Sequence, residues 1–122
     1  MPIKVFAVDD SATIRQTMKL TLRGEEFEVE TANDGADALA KAQAGYVPDI
    51  VLTDVNMPNM DGITLTAELR KLPSYASIPI IMVTTESQVE KKQAGKNAGA
   101  TGWIVKPFSP EQLIALVKKV AG

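Results

Sequence analysis

Five side chains that could take part in chemistry each follow an apolar segment of the chain. Asp9 and Asp10 come directly after IKVFAV, Asp54 after DIVLT, Thr84 after IPIIMV and Lys106 after GWIV. Carboxylates bind hard cations, whereas a hydroxyl and an amine can hydrogen-bond phosphoryl oxygens. The set therefore indicates metal and phosphate chemistry, provided that the fold brings the five side chains together.

The three carboxylates need more counter-charge than Lys106 supplies. A divalent cation would balance them, and Mg2+ prefers an octahedron of oxygen ligands that includes waters and a phosphate oxygen. We predict Asp10 and Asp54 as direct ligands and Asp9 as a direct or water-mediated one. The chain has no cysteine and no histidine, which excludes disulfides, a Ser-His-Asp triad and imidazole metal sites.

Each of these residues alone also has an ordinary structural interpretation. Asp10 or Ser11 would suit the cap of the first helix, and Asp54 would suit a turn. Thr84 would simply end a strand, and Lys106 would be a solvated lysine. Their shared position, each at the same end of its own apolar segment, favours a metal and phosphate site.

The apolar segments that carry these residues alternate with helical patterns and predict an α/β fold with a parallel sheet. The first, third and fourth are almost continuously apolar, as in strands buried on both faces, whereas FEVET alternates like an edge strand. That edge strand runs into Thr31–Asp34, which we interpret as an ordinary turn. Ligands in such folds bind outside the carboxyl ends of the strands. The predicted strands are Ile3–Val8, Phe27–Thr31, Ile50–Thr53, Ile78–Val83 and Gly102–Val105.

Helix boundaries are also visible in the sequence. Ser87–Glu90 and Ser109–Gln112 read as capping boxes, the second with a proline at its first helical position. In the last segment an apolar stripe at helical spacing lies opposite Lys118 and Lys119. Glycines suited to ending helices are Gly24, Gly45 and Gly99.

Length and composition limit the class of protein. The chain of 122 residues is 45% hydrophobic, which suits one domain without a linker, a repeat or a second domain. The net charge is −2 and no basic tail occurs, so a nucleic-acid partner is not expected. The apolar segments are too short to span a bilayer, and the N-terminus does not resemble a secretory signal. We expect a cytoplasmic monomer.

Four motifs occur in one order along the chain: VDDS at 8–11, TDVNMPNMDG at 53–62, MVTTE at 82–86 and WIVKPF at 103–108. With them the sequence resembles the receiver domain of two-component response regulators, especially single-domain chemotaxis regulators of the CheY type. The resemblance implies a flavodoxin-like, doubly wound parallel sheet of five strands in the order 2-1-3-4-5, with five helices. It also implies that residues 1–122 form one receiver domain without an effector domain.

The resemblance implies roles for the acidic residues. Asp54 matches the phosphoacceptor aspartate, and Asp9 and Asp10 match the acidic pair that holds Mg2+. The backbone carbonyl of Asn56 would complete the protein ligands. Because a carboxylate is a weak nucleophile, the metal and a lysine must orient it and neutralise the incoming phosphoryl group.

The remaining motif residues resemble the switch of the family. Thr84 matches the hydroxyl that moves onto the phosphoryl group, and Lys106 matches the family's lysine, whose bond to Pro107 is expected to be cis. Asn56 and Glu86 match the positions that tune dephosphorylation. The aromatic switch position, usually tyrosine or phenylalanine, holds Trp103 here, and its larger indole is expected to alter the usual rotation of this side chain.

The resemblance also implies the partners. A sensor histidine kinase of the chemotaxis type would donate the phosphoryl group, and this chain, which has no histidine, could not itself be that donor. The output would be a protein such as the flagellar motor switch, and a phosphatase is a further possible partner. The protein would not be an enzyme beyond its own autophosphorylation and autodephosphorylation. The output face, made of helix 4, strand 5 and helix 5, would carry Lys91, Lys92, Lys96, Lys118 and Lys119.

Three alternatives stay open at this point. The domain could act as a phosphate sink or serve an output other than the motor. A Mg2+-dependent aspartyl phosphohydrolase of the haloacid dehalogenase type would need a second acid where Asn56 stands, as well as a cap domain. An interaction module that is never phosphorylated would not need the complete set of acidic residues and lysine.

Overall fold

The computed structural model describes residues 2–24, 26–85 and 88–121. Strands and helices alternate from the first strand to the last helix. The strands are β1 (Ile3–Val8), β2 (Phe27–Ala32), β3 (Ile50–Thr53), β4 (Ile80–Thr84) and β5 (Gly102–Val105). The helices are α1 (Ala12–Thr21), α2 (Gly35–Gln43), α3 (Gly62–Arg70), α4 (Val89–Ala98) and α5 (Pro110–Ala121), and a 3-10 turn at Pro73–Tyr75 precedes β4.

All strand pairs of the sheet are parallel, and the strand order is β2-β1-β3-β4-β5. This confirms the predicted doubly wound flavodoxin-like fold. Val8 at the end of β1 lies opposite Thr53 at the end of β3, so these two strands finish at the same level. The residues that follow them, Asp9 and Asp54, are therefore delivered side by side to the carboxyl edge of the sheet.

Two apolar layers, one on each face of the sheet, form the core. On one face Val5, Leu52 and Val83 pack with residues of α1 and α5, among them Met18 and Leu113. On the other face α2, α3 and α4 lie side by side, and a second cluster that includes Phe6, Val51 and Leu69 packs beneath them. Because helices cover both faces, β1, β3 and β4 are almost continuously apolar.

Side-chain caps begin four of the helices. Ser11 accepts from the Ile14 N–H at 3.3 Å, so Ser11 and not Asp10 caps α1. Asp34 and Asp61 cap α2 and α3 in the same way. Two reciprocal hydrogen bonds confirm the predicted capping box of α5. The Gln112 N–H donates to Ser109 Oγ at 3.1 Å, and the Ser109 N–H donates to Gln112 Oε1 at 2.9 Å.

Some element boundaries differ from those predicted. β4 begins at Ile80 and not at Ile78, since the intervening Pro79 has no N–H to donate to a neighbouring strand. β2 and β4 each extend one residue further than predicted, to Ala32 and Thr84. The predicted capping residue Ser87 lies outside the described residues, and α4 begins at Val89.

The three predicted helix-ending glycines, Gly24, Gly45 and Gly99, all have positive φ, the conformation that favours glycine at such ends.

In the described ranges no helix has the length and apolar character needed to cross a membrane.

Candidate functional site

The carboxyl edge of the sheet gathers the three predicted acidic side chains. Asp9, Asp10 and Asp54 each place a carboxylate oxygen so that the three atoms lie within 4.8 Å of one another. Asp9 is buried, Asp54 is half-buried and Asp10 is exposed. The cluster is therefore open to solvent on the side of Asp10.

Lys106 bridges two members of this cluster. Its Nζ lies 2.8 Å from Oδ2 of Asp9 and 3.4 Å from Oδ2 of Asp54, and its side chain is only 12% exposed. The Lys106 N–H donates to the carbonyl of Thr84 at 2.8 Å, which fixes the start of the loop after β5. The Lys106–Pro107 bond is cis. One amine against three carboxylates leaves the cluster with a formal excess of two negative charges.

Asp9 is the most constrained carboxylate of the cluster. It is 1% exposed, its Oδ1 accepts from the Ser11 N–H at 2.9 Å and its Oδ2 accepts from Lys106. Burial raises the pKa of Asp9 although both hydrogen bonds and the lysine act in the opposite direction. The ionised carboxylate is thus held at a cost, which a bound cation would reduce.

Asp54 presents its two oxygens to different partners. Oδ1 accepts from the Val55 N–H at 2.7 Å, and Oδ2 faces Lys106. The backbone at Asp54 is held in turn by a bond from its N–H to the Val8 carbonyl at 3.0 Å. This carboxylate is therefore oriented by β1, by its own loop and by Lys106, and it remains accessible from solvent.

The donor set fits Mg2+. All candidate side-chain ligands are carboxylate oxygens, and two opposite ligands of an octahedral Mg2+ lie roughly 4.2 Å apart. The cluster, at up to 4.8 Å, could thus share one ion after a small side-chain rotation, or with one carboxylate acting through water. Asn56, whose carbonyl the resemblance adds to the ligands, is exposed on the loop two residues after Asp54.

The predicted switch residues lie on β4 and β5. Thr84 is fully buried at the end of β4. Trp103 is half-buried on β5, and its ring lies over Gly95 of α4, where an added Cβ would come within 3.0 Å of Cζ3. A cleft of about 240 Å³ beside Trp103 is flanked by Lys92 and Lys96. Glu86, the second tuning position, lies outside the described residues.

Two contributors to the site were not identified from the sequence. Arg15, in the second turn of α1, donates through Nη1 to the backbone carbonyl of Asp9 at 2.6 Å. Gly62 begins α3 so close to β3 that a Cβ would lie 2.0 Å from the Asp54 carbonyl oxygen. The glycine was visible within TDVNMPNMDG, whereas Arg15 has no local signal because its acceptor is a backbone atom.

Comparison with known proteins agrees with this fold. A family model described as the response regulator receiver domain matches residues 5–118. The chain therefore belongs to the response regulator receiver family, whose domains are regulatory phosphoacceptors in phosphorelay signalling.

Individual relatives show which members of this family the chain is similar to. The structure of the chemotaxis protein CheY4 of Vibrio cholerae superposes with a TM-score of 0.91 and 50% sequence identity, covering 98% of this chain and 99% of that one. Protein PilG of Pseudomonas aeruginosa is 37% identical over 116 residues, which are 95% of this chain and 85% of PilG. The transcriptional regulatory protein PrrA of Mycobacterium tuberculosis is 37% identical over 115 residues, and the chain spans only 48% of its length.

Proposed function

We propose that this chain acts as a single-domain response regulator of the chemotaxis type. A sensor histidine kinase phosphorylates Asp54 in the presence of Mg2+, and phosphorylation changes the affinity of the surface formed by α4, β5 and α5 for an output protein. The observation that carries the proposal is the position of Lys106 between the carboxylates of Asp9 and Asp54, at 2.8 and 3.4 Å.

The chemistry follows from this arrangement. An oxygen of Asp54 attacks the phosphorus of the kinase's phosphohistidine, the N–P bond breaks and an aspartyl phosphate forms. Mg2+ supplies positive charge for the phosphoryl oxygens when it is bound, with Asp9, Asp10, Asp54 and the Asn56 carbonyl as its protein ligands. Lys106 supplies a further charge and hydrogen-bond donors. Water later cleaves the acyl phosphate, so the domain returns to its starting state.

The switch connects this chemistry to the output surface. In the proposal Thr84 and Lys106 hydrogen-bond the phosphoryl oxygens, and the backbone at the end of β4 moves with Thr84. Trp103 then changes its contact with Gly95, which transmits the movement to α4. Asn56 and Glu86 set the rate at which water removes the phosphoryl group.

The charge and exposure of α4 support an acidic output partner. Lys91, Lys92 and Lys96 are exposed on this helix, and Val89 at its start is 76% exposed. A basic surface with apolar contacts suits an acidic, partly apolar peptide segment. Lys118 is paired with Glu26 at 2.7 Å, next to the far edge strand β2, so we leave it out of this surface. The identity of 50% to a chemotaxis protein over nearly the whole of both chains supports a role in chemotaxis.

Phosphorylation is tested first with Asp54→Asn. Wild-type protein incubated with acetyl phosphate and Mg2+ should gain one phosphoryl mass by intact mass spectrometry, and the fluorescence of Trp103 should change on addition of Mg2+ and again with beryllofluoride. Asp54→Asn should lose the phosphoryl mass and the beryllofluoride response. Asp61→Asn, which keeps its helix cap on the same loop, serves as the control and should behave as wild type. Absence of the phosphoryl mass in wild type would favour the unphosphorylated interaction module.

The output is tested by binding to the flagellar motor switch protein of the same organism. Beryllofluoride should tighten this binding, and Lys92→Glu together with Lys96→Glu should weaken it about tenfold. Lys71→Glu, at the residue that follows α3, makes one such charge reversal elsewhere on the surface and should have no effect. Rapid phosphotransfer from the kinase without any motor binding would instead support the phosphate-sink alternative.

A further inference from the structure

The loop that follows the phosphoacceptor is fastened to the start of α2. Nδ2 of Asn59 donates to Oδ2 of Asp34 at 2.6 Å, and the Gly35 N–H donates to the Met60 carbonyl at 3.2 Å. We call these four residues the loop clasp. It joins two segments whose bonded side chains, those of Asp34 and Asn59, are 25 residues apart. None of its four residues has a direct part in the proposed phosphorylation chemistry.

The clasp holds an unfavourable backbone conformation. Asn59 has φ +68°, and the Met60 N–H donates to the Pro58 carbonyl at 2.7 Å, which makes a γ-turn centred on Asn59. Classic γ-turns, in which the central residue has positive φ, are rare and strained. They persist only where the surroundings determine them, and here the strained residue itself donates to Asp34.

The same loop is also fixed close to the phosphoacceptor. The Gly62 N–H donates to the Val55 carbonyl at 2.8 Å, which closes the loop at its base. At the clasp, a Cβ on Gly35 would lie 2.4 Å from the Met60 carbonyl oxygen, so only glycine permits this approach. Asn56 lies between the base and the clasp. Its backbone position therefore depends on both attachments.

Asp34 is well suited to act as an anchor. Its Oδ1 accepts from the Asp37 N–H at 2.7 Å and caps α2, while Oδ2 accepts from Asn59. These hydrogen bonds lower the pKa of Asp34, so the carboxylate is ionised at neutral pH. Because Asp34 is itself held at the start of α2, its carboxylate is a fixed acceptor for the side chain of Asn59.

We propose that the loop clasp positions the backbone carbonyl of Asn56 for Mg2+ before the ion arrives. Asp34 and Asn59 are then positioning residues for the metal site, although neither contacts the metal. Since the loop is ordered in advance, less conformational entropy is lost on binding, and affinity rises. This inference rests on the proposed metal site at Asp9, Asp10 and Asp54.

Two variants break the Asn59–Asp34 bond of the clasp without removing a helix cap or adding strain. Asn59→Gly removes the donor and suits the positive φ, so the folded state should keep or gain stability. Asp34→Ser keeps a capping hydroxyl for α2, but its side chain is too short to reach Asn59. Asp61→Ser removes an equal charge from the end of the loop that carries Asn59 and also keeps a cap, for α3, so it is the matched control.

The measurement is the Mg2+ dissociation constant, read from the amide NMR shifts of residues 54 and 56 during titration, together with the free energy of unfolding without Mg2+. We expect Asn59→Gly and Asp34→Ser each to weaken Mg2+ binding about threefold to tenfold, while Asp61→Ser stays within a factor of two. The double variant should bind Mg2+ no more weakly than the single variant with the lower affinity, since both substitutions break the same Asn59–Asp34 bond.

A wild-type dissociation constant in Asn59→Gly would overturn the inference, as would an equal loss in Asp61→Ser, which would indicate a general effect of charge. A purely structural role predicts lower stability in Asn59→Gly with unchanged Mg2+ affinity. If the wild-type protein itself shows no Mg2+ shifts, the proposed metal site fails and the inference fails with it. If wild type binds Mg2+ tightly and the variants bind it equally well, the metal site stands and only the proposed role of the clasp is wrong.

Discussion

Asp9 shows how the site and the stability of the fold depend on the same residue. Its pKa is raised, chiefly by burial, so the folded state holds the Asp9 proton to higher pH than the unfolded state does. The free energy of unfolding therefore falls as the pH rises from the ordinary pKa of aspartate through the raised one. At neutral pH the whole of this penalty is present, unless a cation offsets it.

We accordingly expect Asp9→Asn to raise the free energy of unfolding of the metal-free protein at neutral pH. The neutral amide avoids the cost of a buried charge while nearly keeping the shape of the side chain. The same variant should lose the stabilisation that millimolar Mg2+ gives to the wild type, because stabilisation by a ligand follows its affinity for the folded state. Urea unfolding with and without Mg2+ measures both quantities.

Asp10→Asn is the comparison for this prediction, since Asp10 belongs to the same cluster but is exposed. It should weaken the response to Mg2+ and leave the metal-free stability nearly unchanged. A loss of metal-free stability in Asp9→Asn would show that the bond to Lys106 outweighs the cost of burial, contrary to the direction of the pKa.

Among the residues that the structure describes, Arg70 at the end of α3 makes the most extensively bonded contact between elements. Its Nη1 donates to the carbonyls of Tyr75 and Ile78, each at 2.6 Å, and its Nε and Nη2 donate to the Gly99 carbonyl at 3.0 and 2.8 Å. Burial lowers the pKa of Arg70, yet a guanidinium stays charged in proteins. One side chain thus joins α3 to the connection before β4 and to the C-terminal end of α4.

Arg70→Met should lower the free energy of unfolding by about 2 to 3 kcal/mol. Methionine keeps much of the packing of the stem but leaves the three carbonyls without this donor. Amide exchange near the end of α4 should accelerate as well, because Gly99 loses its attachment. Lys71→Met, at the exposed neighbouring residue, should change stability by less than about 0.5 kcal/mol, and equal effects of the two variants would contradict the role of Arg70.

Elements whose signals are local were predictable from the sequence. The Ser109–Gln112 capping box lies within one helical turn, and both of its bonds form. Asp34 was interpreted as part of an ordinary turn, although an N-cap signature was present, with Asp34 three residues before the Asp37 N–H that it accepts from. Its bond to Asn59 had no signal in the sequence, since the two residues meet only after β3 is placed in the sheet.

The acidic cluster was predictable for a reason of topology. Parallel strands finish at one edge, so residues that follow β1, β3 and β5 must approach one another, and Asp9, Asp54 and Lys106 do so. The orientation of Trp103 depends on Gly95, a helix residue whose small size matters only once α4 is packed on β5. Contacts of this second kind are set by tertiary packing and are not encoded in spacing along the chain.

At the scale of the whole molecule, the two ends of the sheet differ in what they contribute. The carboxyl end concentrates carboxylates that repel one another. The opposite end is tied by Tyr75, which is fully buried and donates through its hydroxyl to the backbone carbonyl of Tyr46. The Tyr46 ring packs edge-on against Phe6 with centroids 5.1 Å apart. Attachments far from the site thus offset the electrostatic cost within it.

The two tyrosines allow a prediction of how the free energy of unfolding changes at alkaline pH. Burial is the main cause that raises the pKa of Tyr75 and of Tyr46 to about 12, and acidic neighbours add to the shift at Tyr46. Between the ordinary pKa of about 10 and the raised value, the unfolded chain loses these protons while the folded chain keeps them. The free energy of unfolding therefore falls as the pH rises through this window.

Tyr75→Phe should cost about 1 kcal/mol at neutral pH, where the Tyr46 carbonyl loses its donor, and should also flatten the decline between about pH 10 and 12. The difference from wild type should therefore shrink in alkali. Tyr46→Phe keeps the carbonyl acceptor, so it should flatten the decline with a smaller loss at neutral pH. Urea unfolding across this range distinguishes the variants, and parallel curves for wild type and Tyr75→Phe would show that Tyr75 does not control the alkaline limit of the fold.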